Sequence, residues 1–198
     1  MAAFPSTPVA SSARVRSIQP TLISTSQNMK RQARTRGAQR WAATLSWAVM
    51  TRAIFMPVWA FVVALRGQYG TFTIVLPGHD TPQGSWAGGA PLVDGASQVG
   101  RSVNIKGLTA GQTGIAKAGD FIKFADTKVY MVTADANSDG AGKATITIEP
   151  ALIVSPADSE AIVYTSVPFT MCLTGDTNEY PVQPPLLFTF DLGMVEAY

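Results

Sequence analysis

Parts of the chain alternate between apolar and polar residues, the pattern of a strand with one buried face. The clearest case is segment 41–47, where Trp41, Ala43, Leu45 and Trp47 share one face. Two earlier strands are predicted at 14–18 and 21–25, separated by Pro20. The N-terminal part of the chain therefore predicts a sheet.

A helical period follows this strand. Thr51 is a suitable N-cap and Gly67 a suitable stop, which predicts a helix over about 51–66. Pro57 lies inside it, so the helix either kinks there or begins near it. The predicted apolar face consists of residues spaced three and four apart: Ile54, Val58, Phe61, Val62 and Leu65.

Short β-like segments separated by turn residues follow a region rich in Gly and Pro (77–95). They lie at 101–108, 120–125, 128–133, 144–149 and 161–165, and closing strands are predicted at 167–174 and 186–196. This spacing predicts a small β-barrel or sandwich at 79–166, inserted into a domain made of 1–78 and 167–198. The fold class is mainly β: a sandwich with one flanking helix and an inserted barrel.

Charge is scarce and unevenly placed. Charged residues make up 14% of the 198 residues, against about 25% in typical globular chains. No Asp or Glu precedes Asp80, whereas nine Lys or Arg do; residues 80–198 hold six basic and thirteen acidic side chains. Opposite charge on two parts of one chain favours head-to-tail contact between copies. Neutralisation of the two parts within one monomer is the alternative.

The ends and apolar runs bear on where the chain resides. Residues 1–13 are rich in Pro, Ser and Ala, and we expect any order in this arm to come from an adjacent subunit. The longest apolar run, Ala53–Leu65, spans thirteen residues, whereas a membrane span needs about twenty. We expect neither a signal peptide nor an association with a membrane. We expect synthesis in a cytoplasm.

The segment DANSDG resembles the first half of a calcium-binding loop. It places Asp135, Asn137, Asp139 and Gly140 at suitable spacing, but Ile146 stands where the bidentate acid is required. The same residue types form hairpin turns. We therefore predict a turn and no metal site.

No catalytic pattern is recognisable. GAGKAT lacks the earlier Gly and the following Ser or Thr of a phosphate-binding loop. His79 is the sole histidine and Cys172 the sole cysteine, and the latter is expected to be buried and inert. We expect no catalytic residues, no cofactor and no enzymatic activity.

A basic stretch next to two tryptophans is the strongest candidate site. It could bind nucleic-acid phosphates, but arginine is also enriched at protein interfaces, and we favour a protein contact. The predicted subunit-interface residues are Lys30, Arg31, Arg34, Arg36, Arg40 and Trp41.

Several longer segments resemble tail-tip proteins of tailed bacteriophages, above all distal tail proteins. These are RQARTRGAQRWAATLSW, RAIFMPVWAFVVALRGQYGTFTI, LVDGASQVGRSVNIKGL and AGDFIKFADTKVYMVTADANSDGAGKATITIEPAL followed by SPADSEAIVY. The resemblance implies a tail-tube-like β-sandwich with a peripheral barrel. It also implies a structural subunit of a homo-oligomeric, six-fold ring at the virion tail tip. Tail tube, hub or fibre proteins would be its partners, with DNA only as passing cargo.

Two other functions remain open from the residues alone. One is a β-module that binds carbohydrate or another host-surface molecule, which would need exposed aromatic side chains. The aromatic residues available in the barrel region are Trp86, Phe121, Phe124, Tyr130 and Tyr164. The other is a nucleic-acid-binding protein that uses the basic stretch.

Overall fold

In a computed structural model, the chain forms two compact units. Unit 1 comprises residues 1–74 and 170–197, and unit 2 comprises residues 75–169 with Tyr198. The structure describes the backbone of residues 1–198 and every side chain except that of Gln183. The fold is mainly β and sandwich-like with a flanking helix, which confirms the predicted fold class.

Unit 1 is built on a seven-stranded sheet with the order β1-β6-β12-β14-β5-β2, and β13 pairs with β14. The strands are β1 (Ala2–Ala3), β2 (Ser12–Ile18), β5 (Arg40–Thr51), β6 (Thr71–Val75), β12 (Pro168–Leu173), β13 (Val182–Gln183) and β14 (Leu187–Glu196). A separate two-stranded sheet consists of β3 (Thr21–Thr25) and β4 (Arg31–Thr35). Strand β5 lies between β14 and β2, so the sheet is assembled from both ends of the chain.

Alternation along β5 builds the core of unit 1, as predicted. Trp41, Ala43, Leu45 and Trp47 are each at most 5% exposed. The ring of Trp47 stacks on that of Phe190 from β14, with centroids 5.6 Å apart. One face of the central strands is therefore a continuous apolar layer.

Helix α1 (Arg52–Ala64) covers part of this layer. Thr51 is its N-cap and Pro57 lies within it, so the proline is tolerated in the helix. The predicted apolar face was wrong at Ile54, which is 49% exposed, whereas Phe55 is fully buried. The reason is aromatic packing: the Phe55 ring stacks 5.1 Å from that of Phe188 and turns the helix accordingly.

Unit 2 is a five-stranded sheet with the order β7-β8-β11-β10-β9. The strands are β7 (Leu92–Val93), β8 (Ser102–Lys106), β9 (Phe121–Lys123), β10 (Val129–Val132) and β11 (Ala144–Glu149). The predicted strand at 161–165 was wrong, because this segment makes isolated bridges to Leu92 and Lys123 instead. Its residues help to close an apolar core of their own that includes Trp86, Ile105 and Tyr130.

The N-terminal arm is held by its own chain, which corrects the expectation that an adjacent subunit orders it. Strand β1 pairs with β6 in parallel, and the Phe4 ring lies 5.6 Å from that of Phe72. Strand pairing and one aromatic side chain thus order a segment whose composition indicates disorder. In the part of the chain that the structure describes, no helix has the length and apolarity to cross a membrane.

Candidate subunit interface

The basic stretch forms most of a hairpin, which we call the basic hairpin (residues 20–36). Its strands β3 and β4 pair in antiparallel register from Thr21–Thr35 to Thr25–Arg31. The N–H of Arg36 donates to the carbonyl of Pro20 (3.2 Å) and closes the base. Every residue of both strands is exposed, so neither face of this ribbon is covered by the rest of the chain.

The tip of the hairpin is a compact turn. Met29 adopts φ = 62°, and its N–H donates to the carbonyl of Ser26 (3.0 Å). The Ser26 hydroxyl donates to the Asn28 amide oxygen. The turn leaves the Met29 side chain 85% exposed beside Lys30.

The predicted interface residues fall into two groups. Lys30, Arg31, Arg34 and Arg36 lie on the basic hairpin and are exposed. Among the side chains that the structure describes, none of these four makes an ion pair with an acidic residue. The hairpin therefore carries four positive charges close together. The first acidic residue of the chain is Asp80, well after the hairpin.

The other two predicted residues begin β5. Arg40 is exposed, whereas Trp41 is 4% exposed and lies in the core of unit 1. The Trp41 N–H donates to Oε2 of Glu196 (3.1 Å), a carboxylate that is fully buried. Trp41 therefore stabilises the start of β5 as a core residue.

Strand β2 adds two arginines that sequence reasoning left out. Its register places Arg14 beside Thr44 and Arg16 beside Ala42, on the sheet face opposite the Trp41–Trp47 layer. The Arg16 guanidinium donates to Oγ1 of Thr44 (3.3 Å). The alternation of Arg14 and Arg16 in a predicted strand was the signal that could have identified them.

Helix α1 also presents an apolar surface to solvent. Val63 is 58% exposed and Ile54 is 49% exposed. No polar side chain lies between Arg52 and Arg66. A helix that is apolar all round is normally covered on all sides, so unit 1 has apolar surface left over.

The buried carboxylate of unit 2 is structural. Asp120 is 3% exposed and accepts hydrogen bonds from four donors. These are the backbone N–H groups of Gln83 (2.6 Å), Gly84 (3.0 Å) and Lys117 (3.0 Å) and Nε1 of Trp86 (3.1 Å). With its oxygens engaged in this way, Asp120 serves as a clamp between loops.

The DANSDG segment folds as the predicted turn. Oδ1 of Asp139 accepts from the N–H groups of Ala141 and Lys143, both at 2.8 Å. These hydrogen bonds, that of Lys143 first, hold the pKa of the Asp139 carboxyl below its usual value. A hydrogen bond from the Lys117 side chain, followed by the Ala118 N–H, lowers the pKa of Asp135. These carboxylates fasten loops to one another.

The aromatic residues of the barrel region do not form an exposed sugar-stacking surface. Trp86, Phe121, Phe124 and Tyr130 are each at most 6% exposed, and Tyr164 stacks on Trp86 at 5.0 Å. A groove of about 310 Å³ does lie on unit 2, and polar side chains dominate its lining. They belong to Asp94, Asn104, Asn137, Asp139, Lys143 and Thr145.

His79 and Cys172 have ordinary surroundings. The His79 ring meets that of Phe121 edge-on at 5.0 Å. Cys172 is half-buried on β12, and burial raises the pKa of its thiol. The expectation of a buried thiol was therefore wrong, because the strand places it on the sheet face that carries Arg16 and Arg40.

Comparison with known proteins finds a similar domain within unit 2. No curated protein sequence matches the chain. Residues 81–167 match the family model of the B domain of distal tail protein pb9. This match covers the five-stranded sheet of unit 2 and its core, and agrees with the resemblance in the sequence. Residues 81–167 thus resemble a domain of the distal tail proteins of tailed bacteriophages, which supports a structural protein of the phage tail.

Proposed function

We propose that the chain is a subunit of a closed ring of six copies that joins the tail tube to the hub or fibres. Residues 1–78 and 167–198 would build the ring, and residues 79–166 would lie at its periphery. Association with other tail components follows from the family. The six-fold ring, these domain roles and these named neighbours are the proposal.

The basic hairpin is the observation that carries the proposal. An isolated two-stranded hairpin is marginally stable in water and needs a further strand or a helix to pack against. Here all ten strand residues are exposed, including Leu22 (50%) and Ile23 (58%). A neighbouring subunit that covers this ribbon would bury those side chains and order it.

Charge supplies the specificity of that contact. The ribbon carries Lys30, Arg31, Arg34 and Arg36, and Arg40 continues the positive surface onto β5. Acidic side chains come later in the chain, and Glu179 and Asp191 of unit 1 are exposed. A contact between two different patches is heterologous, and such contacts close into rings when the rotation permits.

The sheet offers a second contact. Strand β2 lies at one end of the described sheet, so its outer backbone edge can pair with another strand. Sheets joined edge to edge in this way would surround a channel for passing DNA. Arg14 and Arg16 would mark the subunit junction.

The proposal is tested by measuring the mass of the purified full chain across protein concentration and salt. We expect a discrete oligomer with a six-fold projection in electron micrographs, weakened by salt because exposed charges are screened. Arg34→Glu should raise the concentration needed for assembly at least tenfold. Arg52→Glu, also an exposed cation of unit 1, is the matched control and should leave assembly unchanged.

A monomer at every concentration, together with equal behaviour of both variants, would refute the ring. A DNA retardation assay addresses the nucleic-acid alternative. Steep loss of affinity with salt that depends on Arg34 would favour that function, whereas weak, variant-independent binding agrees with DNA as cargo.

A further inference from the structure

The two ends of the unit 1 sheet differ in how they are covered. At one end, β2 has β5 on its inner side and no strand on its outer side among the described residues. At the other end, β6 has β12 inside and the two-residue strand β1 outside. The edge of β6 is thus covered by the N-terminal arm (residues 1–10).

The arm covers β6 incompletely. Strand β6 has five residues, and β1 pairs with two of them, in the register Ala2–Phe72 and Ala3–Thr73. The N–H of Phe4 adds one hydrogen bond to the Thr73 carbonyl (2.8 Å). The rest of the β6 edge is not paired by the arm.

A single aromatic ring anchors the arm. The centroid of the Phe4 ring lies 5.4 Å from that of Phe61, 5.6 Å from that of Phe72 and 5.9 Å from that of Trp47. Nε1 of Trp47 donates to the carbonyl of Pro8 (2.9 Å). Met1 and Val9 remain 76% and 74% exposed. An arm held by one ring and a few hydrogen bonds can detach without unfolding the sheet.

Strand β2 of a second copy fits the edge that the arm covers. In β2, Ala13 and Val15 pair with the core-facing residues Leu45 and Ala43, so they lie on the apolar side. In β6, Phe72 and Ile74 are the buried residues. Both strands alternate with period two, so one register continues the apolar layer on one side and the polar layer on the other.

We propose that the β6 edge is the docking edge for β2 of a second copy, and that the N-terminal arm is a strap that must leave it first. This inference rests on the proposed ring. A strand edge pairs with one partner at a time, so arm and neighbour compete for the same N–H and C=O groups. In a free subunit the N-terminal arm therefore blocks the β6 edge, which prevents premature assembly with other copies.

Locking the strap with a disulfide tests this directly. Paired residues of adjacent strands lie at a separation suited to a disulfide, so Ala3→Cys with Thr73→Cys, in a Cys172→Ser background, should join arm and edge. Light scattering of the full chain measures assembly in the oxidised and reduced forms. We expect the oxidised form to need at least tenfold more protein to assemble and the reduced form to assemble like the Cys172→Ser parent.

A second engineered disulfide, placed away from the arm, is the control for effects of oxidation itself. Asn104→Cys with Thr145→Cys joins two paired strands in unit 2. Its oxidation should leave assembly unchanged. Equal assembly of oxidised and reduced Ala3→Cys/Thr73→Cys would overturn the strap while the ring stands. Absence of assembly in every form, the parent included, would remove the ring proposal itself.

A second variant acts in the opposite direction. Phe4→Ala removes the anchor of the arm and should lower the concentration needed for assembly, with circular dichroism confirming that the sheet remains folded. A higher concentration for a folded Phe4→Ala variant would show that the docked arm promotes assembly, which contradicts the strap.

Discussion

Units 1 and 2 use their charged side chains differently. In unit 2, Lys143 pairs with Asp94 (2.7 Å) and Lys106 with Asp158 (2.8 Å), so loops are tied to strands by the chain itself. In unit 1, the cations of the basic hairpin stand on a ribbon exposed on both faces. The difference indicates that unit 2 satisfies these charges within itself, whereas the basic hairpin of unit 1 has a surface suited to a partner.

Exposed apolar side chains occur in both units, and Val99 of unit 2 is 77% exposed. The units differ in where these side chains lie, because those of unit 1 include the basic hairpin and the helix. The core of unit 2 encloses its aromatic residues, with Trp86 and Tyr130 each at most 1% exposed. Unit 1 leaves Ile23 of the hairpin and Val63 of the helix more than half exposed. A folded unit that keeps such groups in water is typical of a protein that functions in an assembly.

The largest expected effect comes from truncating the core of unit 2. Trp86→Ala should lower the free energy of unfolding by about 3–5 kcal/mol, because it leaves a cavity and removes the donor to Asp120. Urea denaturation followed by circular dichroism measures it. Leu22→Ala on the hairpin is the comparison and should change stability by less than about 0.5 kcal/mol. Equal losses would break the contrast between the units.

Removing the charge of the buried clamp should have the next largest effect. Asp120→Asn should cost about 1–3 kcal/mol, because the amide replaces one accepting oxygen with a donor that faces N–H groups. Thermal denaturation at neutral pH measures the loss. Asp80→Asn, an exposed carboxyl of the same unit, should have little effect. A stable Asp120→Asn protein would show that the loops are held by other contacts.

Exposed aliphatic residues separate assembly from folding. Ile23→Ser should weaken self-association about tenfold, roughly 1.4 kcal/mol, since a neighbour would cover Ile23. Its unfolding free energy should change by less than about 0.5 kcal/mol. Val99→Ser in unit 2 replaces a side chain that is 77% exposed and should alter neither quantity. Analytical ultracentrifugation distinguishes the two variants, and identical sedimentation would count against the hairpin contact.

The smallest effect concerns pH. The Lys106 side chain, the Gly95 N–H and the Ser159 hydroxyl hold the pKa of the Asp158 carboxyl below its usual value. A lowered pKa stabilises the fold above about pH 4, the unfolded value, and this contribution is lost as pH falls through the folded value. Asp158→Asn should therefore flatten the decline in melting temperature between about pH 4 and 2. An unchanged decline would assign the acid sensitivity to other carboxyls.

Local patterns predicted local structure well. Strand β11 has the predicted bounds, 144–149, and β5 buries the predicted face, because alternation alone decides which side chains of a strand point inward. The helix begins after Thr51 as predicted. Segment 161–165 was mispredicted because its strand-like residues meet only single bridging partners.

The predicted interface residues lie in two places, and the sequence indicated one of them directly. Charge density along the sequence identified the four cations of the hairpin, because they lie close together in the chain. Arg40 and Trp41 lie on opposite faces of the sheet, and the register of β5 with β14 and β2 decides which face is covered. The sequence did not indicate that Arg14 and Arg16 lie on the same sheet face as Arg40, because the strand that contains them was predicted without the face that it presents.

The strand and helix periods, the separation of positive from negative charge and the resemblance to distal tail proteins follow from the amino-acid sequence alone. These are properties of neighbouring residues. The packing of Phe4 on Phe61 and Phe72, and the hydrogen bond from the backbone N–H of Trp41 to Glu196, became visible when the chain was seen folded. Those contacts join residues far apart in the chain, and the packing of the whole sheet selects them from many alternatives that local pattern leaves equal.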